Sequence, residues 1–256
     1  MLTAITREPA GSLGRCELTY VGRQTIDTGR AAAQHRGYRR ALEDCGARVV
    51  LLPAVEGLPD SVFVEDTAVV LDELAVIASP GVASRRAEAE LIEPEVARLR
   101  EVARISPPAT LEGGDVLRVG RRLFVGLSPR TNRAGVEALR ALAAPRGYEV
   151  VPVALRDCLH LKTACTAADD GTILLNPEWV GGETFRGYER VAVHPSEPWA
   201  ANTARVGASL LVGAAFPRTA EALARRGLDV RTLDVSEFAK AEGGLTCMSL
   251  IVDSSQ

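Results

Sequence analysis

Helical and strand-like apolar patterns alternate along the chain. In residues 25–46 apolar side chains recur at helical spacing, Gly46 follows the last of them, and the apolar run RVVLLP then reads as a strand. The same spacing predicts helices over 84–104, 132–146 and 217–227, and short strands, EVVPV and DVRTLDV, follow the last two. Alternation of this kind is typical of an α/β fold.

Segments of a second kind stand between these helices. Each opens with polar or small residues and continues as an apolar hairpin, whose two strands are separated by turn residues such as DE, VG or DDG. The openings recur about every 40 to 50 residues, a period that is typical of repeat architectures. The five segments begin at Val64, Leu111, Leu161, Ala201 and Leu245.

The fifth segment, LTCMSLIV, has only one strand, and the N-terminal LTAITRE can supply its partner. Pairing of the two chain ends would close a ring of five units. The sequence therefore predicts a single α/β domain over residues 1–256. We expect a five-bladed pseudosymmetric α/β propeller, closed by its terminal strands, in which the polar openings of the units converge on a central axis.

Composition narrows the range of partners. A chain of 256 residues with 46% hydrophobic and 25% charged residues can bury a sizeable core. Its formal charge of −3 is spread without long runs of one sign, so we expect a small-molecule partner and no nucleic acid. No apolar run approaches the ~20 residues that span a bilayer, and Arg7 and Glu8 interrupt the N-terminus. These features predict a cytoplasmic protein that does not bind membranes.

Five cysteines form an odd set without the spacing of a secreted disulfide framework, so free thiols are expected. One alternative takes Cys158, His160 and Cys165 as zinc ligands, but this spacing lacks a regular fourth ligand. The motifs of common nucleotide-binding, serine-hydrolase and zinc-protease sites do not occur in the sequence.

Side chains that can carry chemistry recur at the openings of the hairpin units. Taken singly, each has an ordinary explanation, since a cysteine in an apolar strand is usually buried and acidic pairs before strands are usually solvated. Their recurrence at the same place in successive units favours a shared site on the axis. The set comprises Glu65, Asp66, Glu112, Asp115, His160, Lys162, Asn202, Thr246 and Cys247.

A cysteine nucleophile needs a partner at neutral pH, because the thiolate is the reactive form. His160 is one of three histidines, and Glu112 could orient it, giving a Cys-His-Glu constellation with Cys247. Two glycines before Cys247 permit a tight backbone that leaves room for a substrate. Several carboxylates on one axis require a cation, and a planar guanidinium suits the fork geometry of carboxylates.

With these residues assembled, the chain resembles the dimethylarginine dimethylaminohydrolases, members of the guanidino-group-modifying pentein superfamily. The resemblance extends over nearly the full length and depends on several motifs at consistent intervals. They are LPDSVFVEDTAVV (58–70), SPGVASRR (79–86), LEGGDVLRVG (111–120), SPRTN (128–132), LHLKT (159–163), PWAANT (198–203) and SEFAKAEGGLTCMS (236–249).

The resemblance implies a role for each matching residue. Cys247 would be the nucleophile, His160 the general acid and base, and Glu112 the group that orients the histidine. Asp66, with Glu65 and Asp60, would bind the guanidinium of the substrate. Its carboxylate would be bound by Arg85 and Arg130, and the backbone around Ala241 and Glu242 would contact its amino-acid end. A lid that contains Leu18 would cover the site.

The implied reaction removes methylamine or dimethylamine from a free Nω-methylated arginine and gives L-citrulline through a covalent thiouronium. The resemblance implies neither a metal nor an organic cofactor, and it leaves monomer and homodimer open. Two other functions stay open as well. One is an arginine deiminase-like hydrolase of another small guanidino compound, although arginine deiminases and amidinotransferases are longer, and the other is a non-catalytic binder of arginine derivatives.

Overall fold

The computed structural model describes residues 1–253, and within them the chain forms five three-stranded sheets. The strands are β1 (Leu2–Arg7), β2 (Arg48–Leu52), β3 (Ala68–Val70), β4 (Leu74–Ile77), β5 (Glu101–Arg104), β6 (Val116–Val119), β7 (Arg122–Leu127), β8 (Glu149–Ala154), β9 (Cys165–Ala167), β10 (Thr172–Leu175), β11 (Glu189–Ala192), β12 (Ala204–Val206), β13 (Ser209–Gly213), β14 (Asp229–Leu233) and β15 (Leu250–Asp253).

The α-helices connect or precede these strands. They are α1 (Thr28–Asp44), α2 (Arg86–Val96), α3 (Arg133–Ala143), α4 (Leu161–Ala164), α5 (Pro217–Ala224) and α6 (Ser236–Ala239). Short 3₁₀ turns cover Leu13–Arg15, Val64–Thr67, Ala83–Arg85, Gly113–Asp115, Ala144–Arg146 and Gly182–Phe185. No helix in the described part of the chain is both long and apolar enough to cross a membrane.

All five sheets share one topology. Each contains an antiparallel pair and a third strand that lies parallel to the middle one, in the orders β3-β4-β5, β6-β7-β8, β9-β10-β11, β12-β13-β14 and β15-β1-β2. A parallel partner requires a crossover connection, which accounts for a helix before the third strand in four of the sheets. In the sheet of β9 a 3₁₀ turn takes that place. The predicted fivefold repeat is confirmed.

The two ends of the chain belong to one sheet, as predicted. β1 pairs antiparallel with β15, with Leu2 opposite Asp253 and Ile5 opposite Leu250. Ile5, Leu250 and Val252 are buried in one apolar cluster. The last strand is therefore fixed both by backbone hydrogen bonds and by burial of its side chains.

The predicted helix over 84–104 is wrong in its second part. α2 ends at Val96, and residues 101–104 form β5, which pairs in parallel with β4 from Leu74↔Glu101 to Ile77↔Arg104. The free edge of the hairpin supplies backbone partners that outweigh the weak helical preference of this segment. The other three predicted helices are present but shorter, as α1, α3 and α5.

The polar openings of three units are brought together. The 3₁₀ turns Val64–Thr67 and Gly113–Asp115 contact each other, and the second of them also contacts α4. Each of these short elements directly precedes the first strand of a hairpin. The repeat therefore places equivalent polar turns side by side, which is the arrangement that the sequence pattern predicts.

The packing of the terminal strands predicts a large effect of Ile5→Ala. Ile5 is 1% exposed, so the substitution should lower the free energy of unfolding by about 2 to 5 kcal/mol. Leu51→Ala on the adjacent strand is the control, because Leu51 is 36% exposed and its loss should cost about 0.5 kcal/mol or less. Urea denaturation measures both, and equal costs would contradict the packing described here.

Candidate active site

Gly114 allows two functional side chains to approach each other closely. Its N–H donates to Oδ1 of Asp66 at 3.2 Å. A Cβ atom at this position would lie 2.6 Å from Asp66 Oδ1 and 2.7 Å from Nδ1 of His160. No side chain fits there, so the second glycine of the EGGD motif is required by packing.

His160 lies between two buried carboxylates. Its Nε2 is 2.7 Å from Oε2 of Glu112, and its Nδ1 is 3.7 Å from Oδ1 of Asp66. Asp115 fixes the backbone of the histidine segment, because its Oδ1 accepts the N–H of Leu161 at 2.9 Å. These contacts give the imidazole a defined orientation, with Glu112 where the sequence places an orienting group.

The charges around His160 favour its protonated form. Burial alone would lower the pKa of the imidazole, but the carboxylates of Asp66, Asp115 and Glu112 outweigh burial and raise that pKa to about 9. The histidine is therefore an imidazolium at neutral pH. A group of this kind can donate a proton to a departing amine.

Cys247 is buried and lies at the end of the tight GGLTC turn. Its Sγ accepts the backbone N–H of Gly244 at 3.3 Å. Burial, together with the negative charges of Glu65 and Asp66, raises the pKa of the thiol to about 12. In this environment the cysteine is a neutral thiol, and a cation placed beside it would favour the thiolate.

Cys247, His160 and Asp66 line one small cavity of about 20 Å³. A cavity of this volume holds about one water molecule. An arginine-sized molecule can therefore enter only if side chains or the covering loop move. The other predicted site residues on its wall are Asp60, Arg85, Arg130, Ala241 and Glu242.

Arg85 supplies the positive charge among these carboxylates. Its Nη1 lies 2.8 Å from Oδ2 of Asp66 and 3.7 Å from Oε2 of Glu112. Its Nη2 lies 2.8 Å from Oε2 of Glu88, one helical turn further along. A guanidinium of the protein is thus already bound by Asp66, which shows that this carboxylate has the geometry for such a group.

Arg130 connects the site to the covering loop. Its Nη1 lies 3.5 Å from Oε1 of Glu112, and its Nη2 donates to Oγ1 of Thr19 at 3.3 Å. The structure thus brings Arg85 and Arg130 to the same carboxylate, Glu112. Their predicted role, binding a substrate carboxylate, stays a prediction.

The three carboxylates predicted to bind a guanidinium lie in different places. Asp66 and Asp60 line the small cavity, and both oxygens of Asp60 accept the N–H of Glu17, at 3.1 and 3.3 Å. Glu65 instead lines a second, larger cavity of about 450 Å³. Both of its oxygens accept hydrogen bonds from the protein.

Leu18 lies in the segment that covers the site, which we call the lid (residues 17–21). It is half-buried and packs on the core beneath it. Three consecutive backbone N–H groups of the lid donate to the carboxylate of Glu242. They belong to Thr19 (2.9 Å), Tyr20 and Val21 (2.7 Å). Glu242 has a left-handed φ of 57°, and its side chain is the main polar link between the lid and the cysteine loop.

Within residues 1–253, one group of side chains could hold a metal ion, namely Asp66, Glu112 and His160, whose donor atoms lie within 4.8 Å of one another. Arg85 forms ion pairs with both carboxylates, and together with the protonated His160 it already offsets their charge. The zinc hypothesis for Cys158, His160 and Cys165 receives no support, because both cysteines lie in an apolar cluster and burial raises the pKa of each thiol. All five cysteines are free thiols, as predicted.

Sequence reasoning missed Glu88, Gly114 and Thr19. Glu88 follows Arg85 at a spacing of three, which on a helix brings two side chains together. The glycine pair in EGGD signals a close approach of other groups. Nothing in the sequence around Thr19 indicates that the lid meets both Arg130 and Glu242.

The fold and the site together define a pentein-type α/β protein. The structure of a dimethylarginine dimethylaminohydrolase from Pseudomonas aeruginosa, a cysteine-to-serine mutant complexed with citrulline, matches with a TM-score of 0.94 and 37% identity, covering 98% of this chain and 99% of that chain. A histidine-to-glycine dimethylarginine dimethylaminohydrolase, in an adduct with S-methyl-L-thiocitrulline, matches with a TM-score of 0.93 and 37% identity, covering 98% and 100%.

Sequence comparison gives the same result. The N(G),N(G)-dimethylarginine dimethylaminohydrolase of Streptomyces coelicolor is 40% identical over 248 residues, 96% of this chain and 95% of that protein. Residues 21–165 match the family described as N,N dimethylarginine dimethylhydrolase, eukaryotic. The chain therefore belongs to the dimethylarginine dimethylaminohydrolase family, and the resemblance noted in its motifs is confirmed.

The contact between Glu112 and His160 predicts a measurable change in Glu112→Gln. This variant keeps the shape of the side chain but removes its charge, so the pKa of His160 should fall below about 9. NMR titration of the imidazole C–H resonances measures the change, with His194 as an internal reference in the same spectra. A pKa that did not move would show that Asp66 and Asp115 alone stabilise the imidazolium.

Proposed function

We propose that the protein is a cysteine hydrolase that converts free Nω-methylated arginine to L-citrulline and methylamine or dimethylamine. The observation that carries this proposal is the small cavity lined by Cys247, His160 and Asp66. On its wall the carboxylate of Asp66 already binds the guanidinium of a protein side chain, that of Arg85. The related structures with citrulline and with a thiocitrulline adduct support the same substrate class.

The first step depends on the charge of the substrate. A guanidinium held by Asp66 and Asp60 would place its positive charge beside Cys247. This charge opposes the carboxylates that raise the pKa of the thiol, so the thiol loses its proton more readily when substrate is bound. The thiol proton passes to solvent, and the thiolate forms a bond to the guanidinium carbon while the C=N π electrons move onto nitrogen.

The second step uses the protonated imidazole. His160 gives its proton to the substituted nitrogen, the C–N bond breaks, and methylamine or dimethylamine leaves behind a thiouronium on Cys247. The neutral imidazole then takes a proton from water while the oxygen bonds to the same carbon. The C–S bond then breaks with its electron pair moving to sulfur, the hydroxyl proton of the adduct passes to that sulfur, and citrulline leaves while the neutral thiol of Cys247 is restored.

The amino-acid end of the substrate would be held near the lid. Arg130 and Arg85 are both on the cavity wall, and a bidentate arginine contact suits a free carboxylate. The backbone of Leu18, Ala241 and Glu242 would contact the same end. Because the cavity admits about one water molecule, the lid would open for the substrate and close over it.

Several features of the working protein belong to the proposal as well. We expect residues 1–256 to act as one catalytic domain in the cytoplasm, as a monomer or a homodimer. We also expect the reaction to need neither a metal nor an organic cofactor, because the thiol, the imidazolium and the carboxylates account for each bond that forms or breaks. The partner is a small molecule and not a nucleic acid, in line with the formal charge of −3.

Citrulline release from arginine, monomethyl-arginine and the two dimethyl-arginines tests the function. The wild-type protein should release citrulline from one or more of the methylated compounds, and Cys247→Ser should be slower by several decades because the nucleophile is lost. Preference for unmethylated arginine would indicate a deiminase-like hydrolase instead. Binding without turnover would indicate a non-catalytic binder.

The lid contacts predict a specific effect of Glu242→Gln. Removing the charge weakens three charge-assisted hydrogen bonds and favours the open lid, so KM should rise about tenfold while kcat changes by less than about threefold. Glu56→Gln is the matched control, because Glu56 accepts the N–H of Gly11 at an exposed position. Steady-state kinetics of both variants measure these changes. An unchanged KM in Glu242→Gln would show that the hydrogen bonds between Glu242 and the lid do not affect substrate binding.

A further inference from the structure

Thr246, the residue before the candidate nucleophile, lies at the centre of a buried hydrogen-bond network. Its hydroxyl donates to Oε2 of Glu65 at 2.6 Å and accepts from Nδ2 of Asn202 at 3.1 Å. Its backbone N–H donates to Oδ1 of the same asparagine at 3.0 Å. One amide side chain thus binds both the backbone and the hydroxyl of Thr246, which leaves that residue little freedom to rotate.

Asn202 also supports the other end of the cysteine turn. A Cβ atom at Gly244 would lie 2.4 Å from the side chain of Asn202, so the amide packs directly on this glycine. The N–H of Gly244 donates to Sγ of Cys247, and Nδ2 of Asn202 is 3.9 Å from the same sulfur. The asparagine therefore contacts the turn at its start, at Thr246 and beside the thiol.

Glu65 anchors this arrangement. Its second oxygen accepts Nζ of Lys162 at 2.7 Å, and its backbone N–H donates to the carbonyl of Cys247 at 3.1 Å. Lys162, Glu65 and Thr246 line the larger cavity of about 450 Å³, whereas Cys247 lines the small one. Part of the network thus lies on the wall of the larger cavity, and the network is joined to the backbone of the nucleophile.

We propose that Asn202 and Thr246 are positioning residues that hold Sγ of Cys247 at the angle needed for attack, with Glu65 and its partner Lys162 as their anchor. Glu65 lines the larger cavity and not the one that contains Cys247, and both of its oxygens accept from Lys162 and Thr246, so this carboxylate acts on the cysteine turn and contributes only its charge to the substrate. Displacement of the nucleophile should lower the rate of the reaction and leave the affinity for substrate unchanged, because about 1 Å of misplacement can lower the rate about a hundredfold. This inference rests on the proposed function, which supplies the substrate used in the test.

The test compares Thr246→Val, which removes the hydroxyl, with Thr246→Ser, which keeps it. Thr246→Val and Asn202→Ala should lower kcat for dimethylarginine by about 10- to 100-fold with KM within about threefold, and Thr246→Ser should stay within about threefold in both. Thr219→Val is the matched control, because Thr219 is also a buried threonine, 1% exposed against 9% for Thr246, and its hydroxyl accepts the N–H of His194. Its kcat should match the wild type after correction for folded protein by thermal unfolding.

A second measurement separates this inference from the proposed function. Chloroacetamidine is a cation that alkylates thiols, with the sulfur displacing chloride, and mass spectrometry identifies the labelled peptide among the five cysteines. The rate of inactivation at saturation should fall in Thr246→Val by the same factor as kcat, while the half-saturating concentration changes less than about threefold.

The outcomes of the two measurements are distinct. Citrulline production by the wild type, with Thr246→Val as active and as readily inactivated as Thr219→Val, would overturn the positioning role and leave the function standing. Equal losses in Thr246→Ser and Thr246→Val would overturn the role of the hydroxyl. If no arginine derivative is hydrolysed but labelling of Cys247 shows the predicted pattern, the positioning role stands and the proposed function falls.

Discussion

Burial of negative charge at one point of the fold is the constraint on which the rest of the site depends. Asp66 and Glu112 are almost fully enclosed, and uncompensated carboxylates in such an environment would be strongly destabilising. His160 as an imidazolium and Arg85 as a guanidinium supply the compensating charge at short distances. The same contacts that make burial tolerable therefore prepare an acid and a guanidinium-binding carboxylate.

The repeat fold explains how these groups come together without a long loop. In three of the five units a short helical element with polar residues directly precedes the first strand, and contacts between these elements bring residues that are far apart in sequence within hydrogen-bond distance. Glu112 and His160 belong to different units, and each directly precedes a short helical element that leads into the first strand of its own hairpin. Side chains at such short elements are held by the sheets behind them, which favours a rigid site.

Much of this arrangement could be predicted from the sequence, because periodic patterns report on local structure and recurrence reports on symmetry. The hairpins, the pairing of the terminal strands and the grouping of Glu112 with His160 follow from such patterns. Strand β5 could not be predicted, since its short segment becomes a strand only where β4 offers an edge. The contact of Arg85 with Asp66 and that of Glu242 with the lid were equally inaccessible, because they depend on which groups that are distant in sequence meet in the folded chain.

The negative charges near Cys247 disfavour its thiolate, whereas the positive charge of a guanidinium ligand would favour it. Burial, together with the negative charges of Glu65 and Asp66, raises the pKa of the Cys247 thiol to about 12, so the free protein holds its cysteine as a thiol with little reactivity. A neutral molecule in the cavity would leave the pKa of the thiol high, whereas the positive charge of a guanidinium would offset the nearby carboxylates and lower that pKa. In the proposed mechanism, charge would therefore couple recognition to activation, because the guanidinium held by the carboxylates would also make the thiolate available. Selection between guanidinium compounds must then come from the lid and the residues around it, because all of these compounds carry the same charge.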